Sequence, residues 1–194
     1  MFSKGLRADG HFGSHHYAAG AGVRLTLVLG GAASGKSDFA ENLCNRMGLE
    51  RIYVATAQAW DDEMAAKISR HREARGDGWR TIEAPMDLGG ALTAARPDAV
   101  VLIDCLTLWL TNRMLADQDT GADADALCAA LAARAGPVVC VSNEVGQGIV
   151  PDTPLGRRFR EAQGRLNRKV AALADTVVLV AAGLPLPLKG SVPT

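Results

Sequence analysis

The chain has 194 residues, 21 basic and 21 acidic side chains, and 48% hydrophobic content. That length suits one substantial α/β domain and is short for two, and the balanced charge gives no drive toward nucleic acid or an anionic membrane surface. No run of 18 apolar residues exists, so the sequence offers no helical membrane span.

Residues 1–22 are rich in Gly, Ala and His, lack hydrophobic periodicity and contain no apolar signal-peptide core. They read as a flexible leader, and His11, His15 and His16 as part of it rather than as a metal site. A single domain is expected over residues 23–190, with 191–194 as a tail. Cys44, Cys105, Cys128 and Cys140 form no C-x-x-C pair and read as small buried apolar side chains in a reducing cytoplasm.

The first predicted strand, Leu25–Leu29, runs directly into a glycine-rich loop in LTLVLGGAASGKS. Gly30, Gly35, Lys36 and Ser37 meet the template G-x-x-x-x-G-K-[ST]. The spacing has a chemical reason. Glycines let successive backbone N–H groups turn inward around a polyphosphate, Lys36 reaches its terminal phosphates, and Ser37 ligates Mg²⁺. The helix that follows aims its N-terminus at the anion.

A second strand, Arg51–Thr56, delivers Thr56 and Gln58, with hydroxyl and amide groups where a base or ribose would lie. A helix beginning at Asp61 or Asp62, both good N-caps, runs through DDEMAAKISRHREAR with an inward stripe of Met64, Ile68, His71 and Arg75. On residue chemistry alone His71 is either a satisfied core or boundary histidine or a nucleophile. Arg72 and Arg75 favour an anionic partner, since neutral imidazole attacks phosphorus while arginines neutralise developing charge.

Strands follow at Arg80–Ala84 and Ala99–Asp104. Asp104, ending AVVLID, is either a carboxylate for the metal site or an N-cap for the segment from Leu106. The polar stretch Asp117–Asp123 reads as an exposed loop, ahead of an alanine-rich region to Ala135. After the strand Pro137–Ser142, the segment SNEVGQGIVP reads either as a loop near a ligand, carrying Asn143 and Glu144, or as a structural turn. Leu155, Phe159, Ala162, Leu166, Val170 and Leu173 then make one helical stripe. Its opposite face carries Arg157, Arg158, Arg160, Arg165, Arg168 and Lys169, read as a solvated face or a subunit contact. The last strands are Thr176–Val180 and an edge strand Leu184–Lys189, where two prolines suit an edge. Alternating strands and helices predict an α/β fold, a mostly parallel sheet with helices on both faces and its ligand site at the strands' carboxyl ends.

With these segments assembled, the chain resembles the bifunctional adenosylcobinamide kinase / adenosylcobinamide-phosphate guanylyltransferase family from about Leu25 to Lys189. The likeness rests on GGAASGKS, YVATAQAWDDEMAAKISRHREAR, WRTIEAP, LIDCLTLWLTN, NEVGQGIVP and the Arg-rich helix ending in LNRKVAALAD. The loop alone fits many P-loop proteins; the ordered set of six is specific. The resemblance implies a P-loop NTPase (RecA-like) fold. It also implies phosphorylation of adenosylcobinamide by a nucleoside triphosphate, ATP or GTP, and then transfer of GMP from GTP to the product through a GMP-histidine. The matching histidine is His71, kept neutral by Arg72 and Arg75. The nucleotide-binding set it implies is Gly30, Gly31, Ala32, Ala33, Ser34, Gly35, Lys36, Ser37, Thr56, Ala57, Gln58, Arg72, Glu73, Ala74, Arg75, Glu83 and Asp104. Mg²⁺ falls to Ser37 and Asp104, and the assembly implied is a homotrimer in the cytoplasm. One departure is Gly76, where many relatives carry Pro. Two other classes are a small P-loop metabolite kinase, which explains the glycine loop and Asp104, and a nucleotide switch or assembly ATPase that binds a protein partner. The first leaves His71 without a task, and the second lacks the N-K-x-D element of guanine-specific switches.

Overall fold

The computed structural model describes residues 23–58 and 76–192. The apolar runs rich in Val, Leu and Ile become strands. They are β1 (Leu25–Gly30), β2 (Arg51–Ala55), β3 (Trp79–Glu83), β4 (Val100–Asp104), β5 (Val138–Asn143), β6 (Thr176–Ala181) and β7 (Leu184–Lys189). They form one seven-stranded sheet in the order β3-β2-β4-β5-β1-β6-β7. The first six strands pair in parallel, and β7 pairs antiparallel with β6. Every residue of β1 is buried, as a central strand covered on both faces requires. The expected edge strand is present, and Pro185 and Pro187 lie on it.

Five helices are described: α1 (Lys36–Arg46), α2 (Leu88–Ala94), α3 (Leu106–Leu115), α4 (Thr120–Ala133) and α5 (Pro154–Leu173). On one sheet face Leu27, Ile52 and Ile103 pack with Leu88 and Leu92 of α2, Trp109 of α3, Leu127 of α4 and Leu166 of α5. On the other, Val28, Leu102, Val141 and Val178 pack with Ala40, Leu43 and Cys44 of α1. This is the α/β layering expected from the alternation, and no described helix is long and apolar enough to cross a membrane.

Three sequence expectations change. The stretch Asp117–Asp123 is not all loop, because Asp119 caps α4 by accepting from the amides of Gly121 and Ala122, so residues 120–123 are its first turn. The apolar stripe of α5 is buried only through its centre. Leu155 and Leu173 are exposed, whereas Gln163 and Asn167 take buried places beside Ala162, Leu166 and Val170. Packing also continues past residue 190, since Val192 rests against the α1-side core. The leader 1–22 and the helix expected from Asp61 lie outside the described residues.

Buried polar groups fix the helices' ends. Arg134, only 8% exposed, donates to the carbonyls of Leu92, Ala95, Arg96 and Ala99 at 2.8–3.1 Å. It thereby satisfies carbonyls at and beyond the end of α2. Burial lowers its pKa, yet an arginine keeps its proton.

Candidate functional site

The strand ends line up at one edge. Ala55 of β2 is level with Glu83 of β3 and Asp104 of β4, Asp104 with Val141 of β5, and Val141 with Val28 of β1. Side chains alternate along strands, and Ala55, Val28 and Val141 belong to the α1-side core. Glu83 and Asp104 therefore share the α1 face, separated by the width of β2, or about 10 Å. The glycine loop leaves β1 at the same edge and enters α1.

The loop's shape follows from its residues. Gly35 is the N-cap of α1 at φ 88°, a left-handed conformation, and no side chain caps the helix. The first-turn amides consequently face outward for an anion. Lys36 folds back across the loop, its Nζ donating to the carbonyl of Gly31 at 3.1 Å. Ser37 stands in the first turn, half-buried, and Ala33 also adopts a positive φ of 54°. The tip of the β6–β7 hairpin supports the loop from behind, where the Gly183 amide donates to the Ser34 carbonyl at 2.8 Å.

Thr56 was expected to face a base or ribose; its hydroxyl is used inside the protein instead. It is fully buried, donates to the carbonyl of Cys105 at 2.8 Å and accepts from the Cys105 amide at 2.7 Å. Asn112 on α3 donates to the carbonyls of Thr56 and Pro85, joining the exits of β2 and β3. Thr56 thus stitches β2 to the turn after Asp104, and half-buried Ala57 and Gln58 continue the edge beyond it. The helix N-cap of α3 is Cys105, with no side-chain cap, so Asp104 does not take that alternative role. Cys105 offers no nucleophile here, because burial and then the neighbouring Asp104 charge push its thiol up to about 11.

The edge accordingly gathers Gly30–Ser37, Thr56–Gln58, Glu83 and Asp104. His71, Arg72, Glu73, Ala74 and Arg75 lie outside the described residues. Sequence reasoning missed a polar cluster behind the edge. Ser142 donates to Asn167 at 2.7 Å, Gln163 donates to both at 2.9 Å, and Asn167 donates to the carbonyl of Asn143 at 3.0 Å. The available signal was the i, i+4 pair Gln163 and Asn167 beside the apolar stripe of α5. The basic face also differs from a bare solvated surface: Arg157 donates to the carbonyls of Pro151 and Asp152, and Arg160 to that of Gly146. These two arginines hold the loop after β5.

Ser37 supplies a hydroxyl and Asp104 a carboxylate, and among the described residues no group of three His, Cys, Asp or Glu gathers to hold a metal. A hydroxyl and a carboxylate are hard oxygens of the kind Mg²⁺ takes together with waters and phosphate oxygens.

A phosphate loop between a central parallel strand and an uncapped helix, with acids at the ends of β3 and β4 on the same sheet edge, defines a P-loop nucleotide-binding protein. The flagellar accessory protein FlaH from Methanocaldococcus jannaschii shares the fold, with a TM-score of 0.51 at 14% identity over 89% of this chain and 82% of that one. The chain belongs to the cobinamide kinase / cobinamide phosphate guanyltransferase family, whose sequence profile matches residues 26–188. Among its relatives, the bifunctional adenosylcobalamin biosynthesis protein CobP of Pseudomonas aeruginosa is 45% identical over 167 residues, covering 84% of this chain and 96% of the relative. The corresponding CobU protein of Escherichia coli is 39% identical over 181 residues, covering 85% and 99%.

Proposed function

We propose that this chain phosphorylates the aminopropanol hydroxyl of adenosylcobinamide with ATP or GTP. It then transfers GMP from GTP to the new phosphate, giving adenosylcobinamide-GDP and pyrophosphate. Membership of the family supports both activities. The structural observation that carries the reading is the common edge of the glycine loop, Glu83 and Asp104.

In this reading the amides of Gly31–Ser37 and the N-terminus of α1 bind the phosphates, and Lys36 exchanges its bond to Gly31 for a phosphate oxygen. Ala57 and Gln58 border the nucleoside, Thr56 holds their strand in place, and Glu83 approaches it from β3. Ser37 and Asp104 would hold Mg²⁺, which when bound neutralises charge on the polyphosphate. For the second reaction His71 attacks the α-phosphorus of GTP, forming an N–P bond as the bond to pyrophosphate breaks. The substrate phosphate then displaces the histidine, so one hard transfer becomes two easier ones. Arg72 and Arg75, with Glu73 and Ala74 between them, keep the imidazole neutral and meet the developing charge. A homotrimer working in the cytoplasm completes the proposal.

The test is incubation with Mg²⁺ and GTP labelled at the α-phosphate, followed by denaturation. Wild type should retain label that is stable to base and lost in acid, while His71→Ala retains none. A folded wild type that binds GTP but takes no label would refute the histidine intermediate.

A further inference from the structure

We infer that Asn143 receives the acceptor alcohol in the kinase reaction, a role that rests on the functional reading above. Asn143 ends β5, the strand lying between β1 of the glycine loop and β4 of Asp104. It is level with Gly30, and two residues beyond Val141, the partner of Asp104. Val139 and Val141 face the α1 side, so strand alternation puts the Asn143 side chain on that side too. It stands between the start of the phosphate loop and the proposed metal carboxylate.

The backbone here is held at both polar groups. The Asn143 amide donates to Thr107 Oγ1 at 2.8 Å, and its carbonyl accepts from Asn167 Nδ2 at 3.0 Å. The next amide, of Glu144, donates to the Gly30 carbonyl at 3.1 Å. Ser142 points the other way, into the cluster with Gln163 and Asn167. The side chain is thus aimed by a rigid frame, yet its Oδ1 is buried with no hydrogen-bond partner among the described residues. Burying an acceptor without a donor is unfavourable, and such groups are rare in folded proteins.

The chemistry of that atom selects its partner. An amide oxygen accepts hydrogen bonds, and phosphate oxygens have none to donate, so the partner is an O–H or N–H donor rather than the polyphosphate. The kinase reaction brings such a donor to this edge next to the γ-phosphate, the alcohol to be phosphorylated. Asn143 orients it in line with the γ-phosphorus. The alcohol oxygen then forms a bond to phosphorus as the bridging P–O bond breaks and the nucleoside diphosphate leaves. An amide is no base, so the alcohol proton passes to a phosphoryl oxygen and from there to solvent.

The guanylyl transfer uses a phosphate as acceptor and needs no alcohol, which makes the test asymmetric. In the full-length protein, Asn143→Leu should lower kinase kcat about 100-fold, with KM for the triphosphate within about threefold of wild type. Transfer of GMP to cobinamide phosphate supplied ready-made should proceed at the wild-type rate. Melting should stay level or rise, because the variant removes an unpaired buried acceptor. Asn143→Ser, which restores a smaller acceptor, should recover part of the kinase rate. Kinase activity undiminished in Asn143→Leu would overturn the inference. So would an equal fall of both reactions with weakened GTP binding, the signature of a contact to metal-bound water. A wild type without kinase activity would remove the functional reading itself, and the two failures are separable by that control.

Discussion

The glycine loop carries two adjacent glycines that the structure treats differently, and replacing each with alanine separates them. A Cβ on Gly30 would lie 2.4 Å from Ser34 Oγ and 2.7 Å from the carbonyl oxygen of Val180. The first contact is relieved by rotating a hydroxyl, but the second meets the backbone of a central strand. A Cβ on Gly31 meets nothing within 4 Å. Overpacking of the Gly30 kind costs about 2 kcal/mol, whereas an unobstructed surface substitution stays within about 0.5 kcal/mol. For a chain of this size the Gly30→Ala loss lowers the melting temperature by roughly 4–8 °C. Differential scanning calorimetry without nucleotide reads both variants directly. Gly30→Ala should melt in that lower range and gain less on adding GTP, while Gly31→Ala melts within about 2 °C of wild type. Equal melting of the two variants would refute the steric account of the loop.

Three further outcomes follow from other parts of the chain. Ala182 and Gly183 both have positive φ in the two-residue β6–β7 turn, at 51° and 77°. Ala182→Asn supplies the preferred residue for that turn and should raise stability by about 0.5–1 kcal/mol in urea unfolding. Arg134→Met leaves buried carbonyls at the end of α2 without donors, and should cost roughly 2–4 kcal/mol at an unchanged denaturant slope. Asp175 accepts from the amides of Leu25 and Arg24 at 2.9 and 2.8 Å, and these bonds, Leu25 first, lower its pKa. A carboxyl depressed on folding stabilises the protein above its unfolded pKa of about 3.9 and loses that contribution as pH falls through the folded value. The gap in urea midpoint between wild type and Asp175→Asn should therefore be full at neutral pH and shrink in acid. A gap that widens on acidification would reverse the assignment.

Periodicity made the sheet legible because its inner strands are covered on both faces, so AVVLID and PVVCVS stand out as unbroken apolar runs. The glycine loop was legible for a different reason: its residue types are demanded by backbone shape and phosphate chemistry. The polar groups around it were harder to place. Thr56 has the same hydroxyl whether it faces a ribose or Cys105, and only the position of the β4–α3 turn, 49 residues later, decides. Gln163 and Asn167 sit where helical spacing calls for apolar residues, and their burial becomes reasonable only once Ser142 is known to face them across the core. Leu155 and Leu173 err in the opposite direction, since a helix of 20 residues extends past the sheet it covers. Local pattern reports which face turns inward; it does not report where the opposing surface stops.

The contact between Gly183 and Ser34 orders events during synthesis. When the ribosome has made β6, all six parallel strands have been synthesised, and the glycine loop was made more than a hundred residues earlier. Its rear support is still missing, because the amide that holds the Ser34 carbonyl belongs to the turn that follows β6. The site that begins with residue 30 is braced only when residue 183 has emerged. A chain ending at Ala181 therefore carries all six parallel strands and the whole glycine loop but lacks the amide that braces the Ser34 carbonyl.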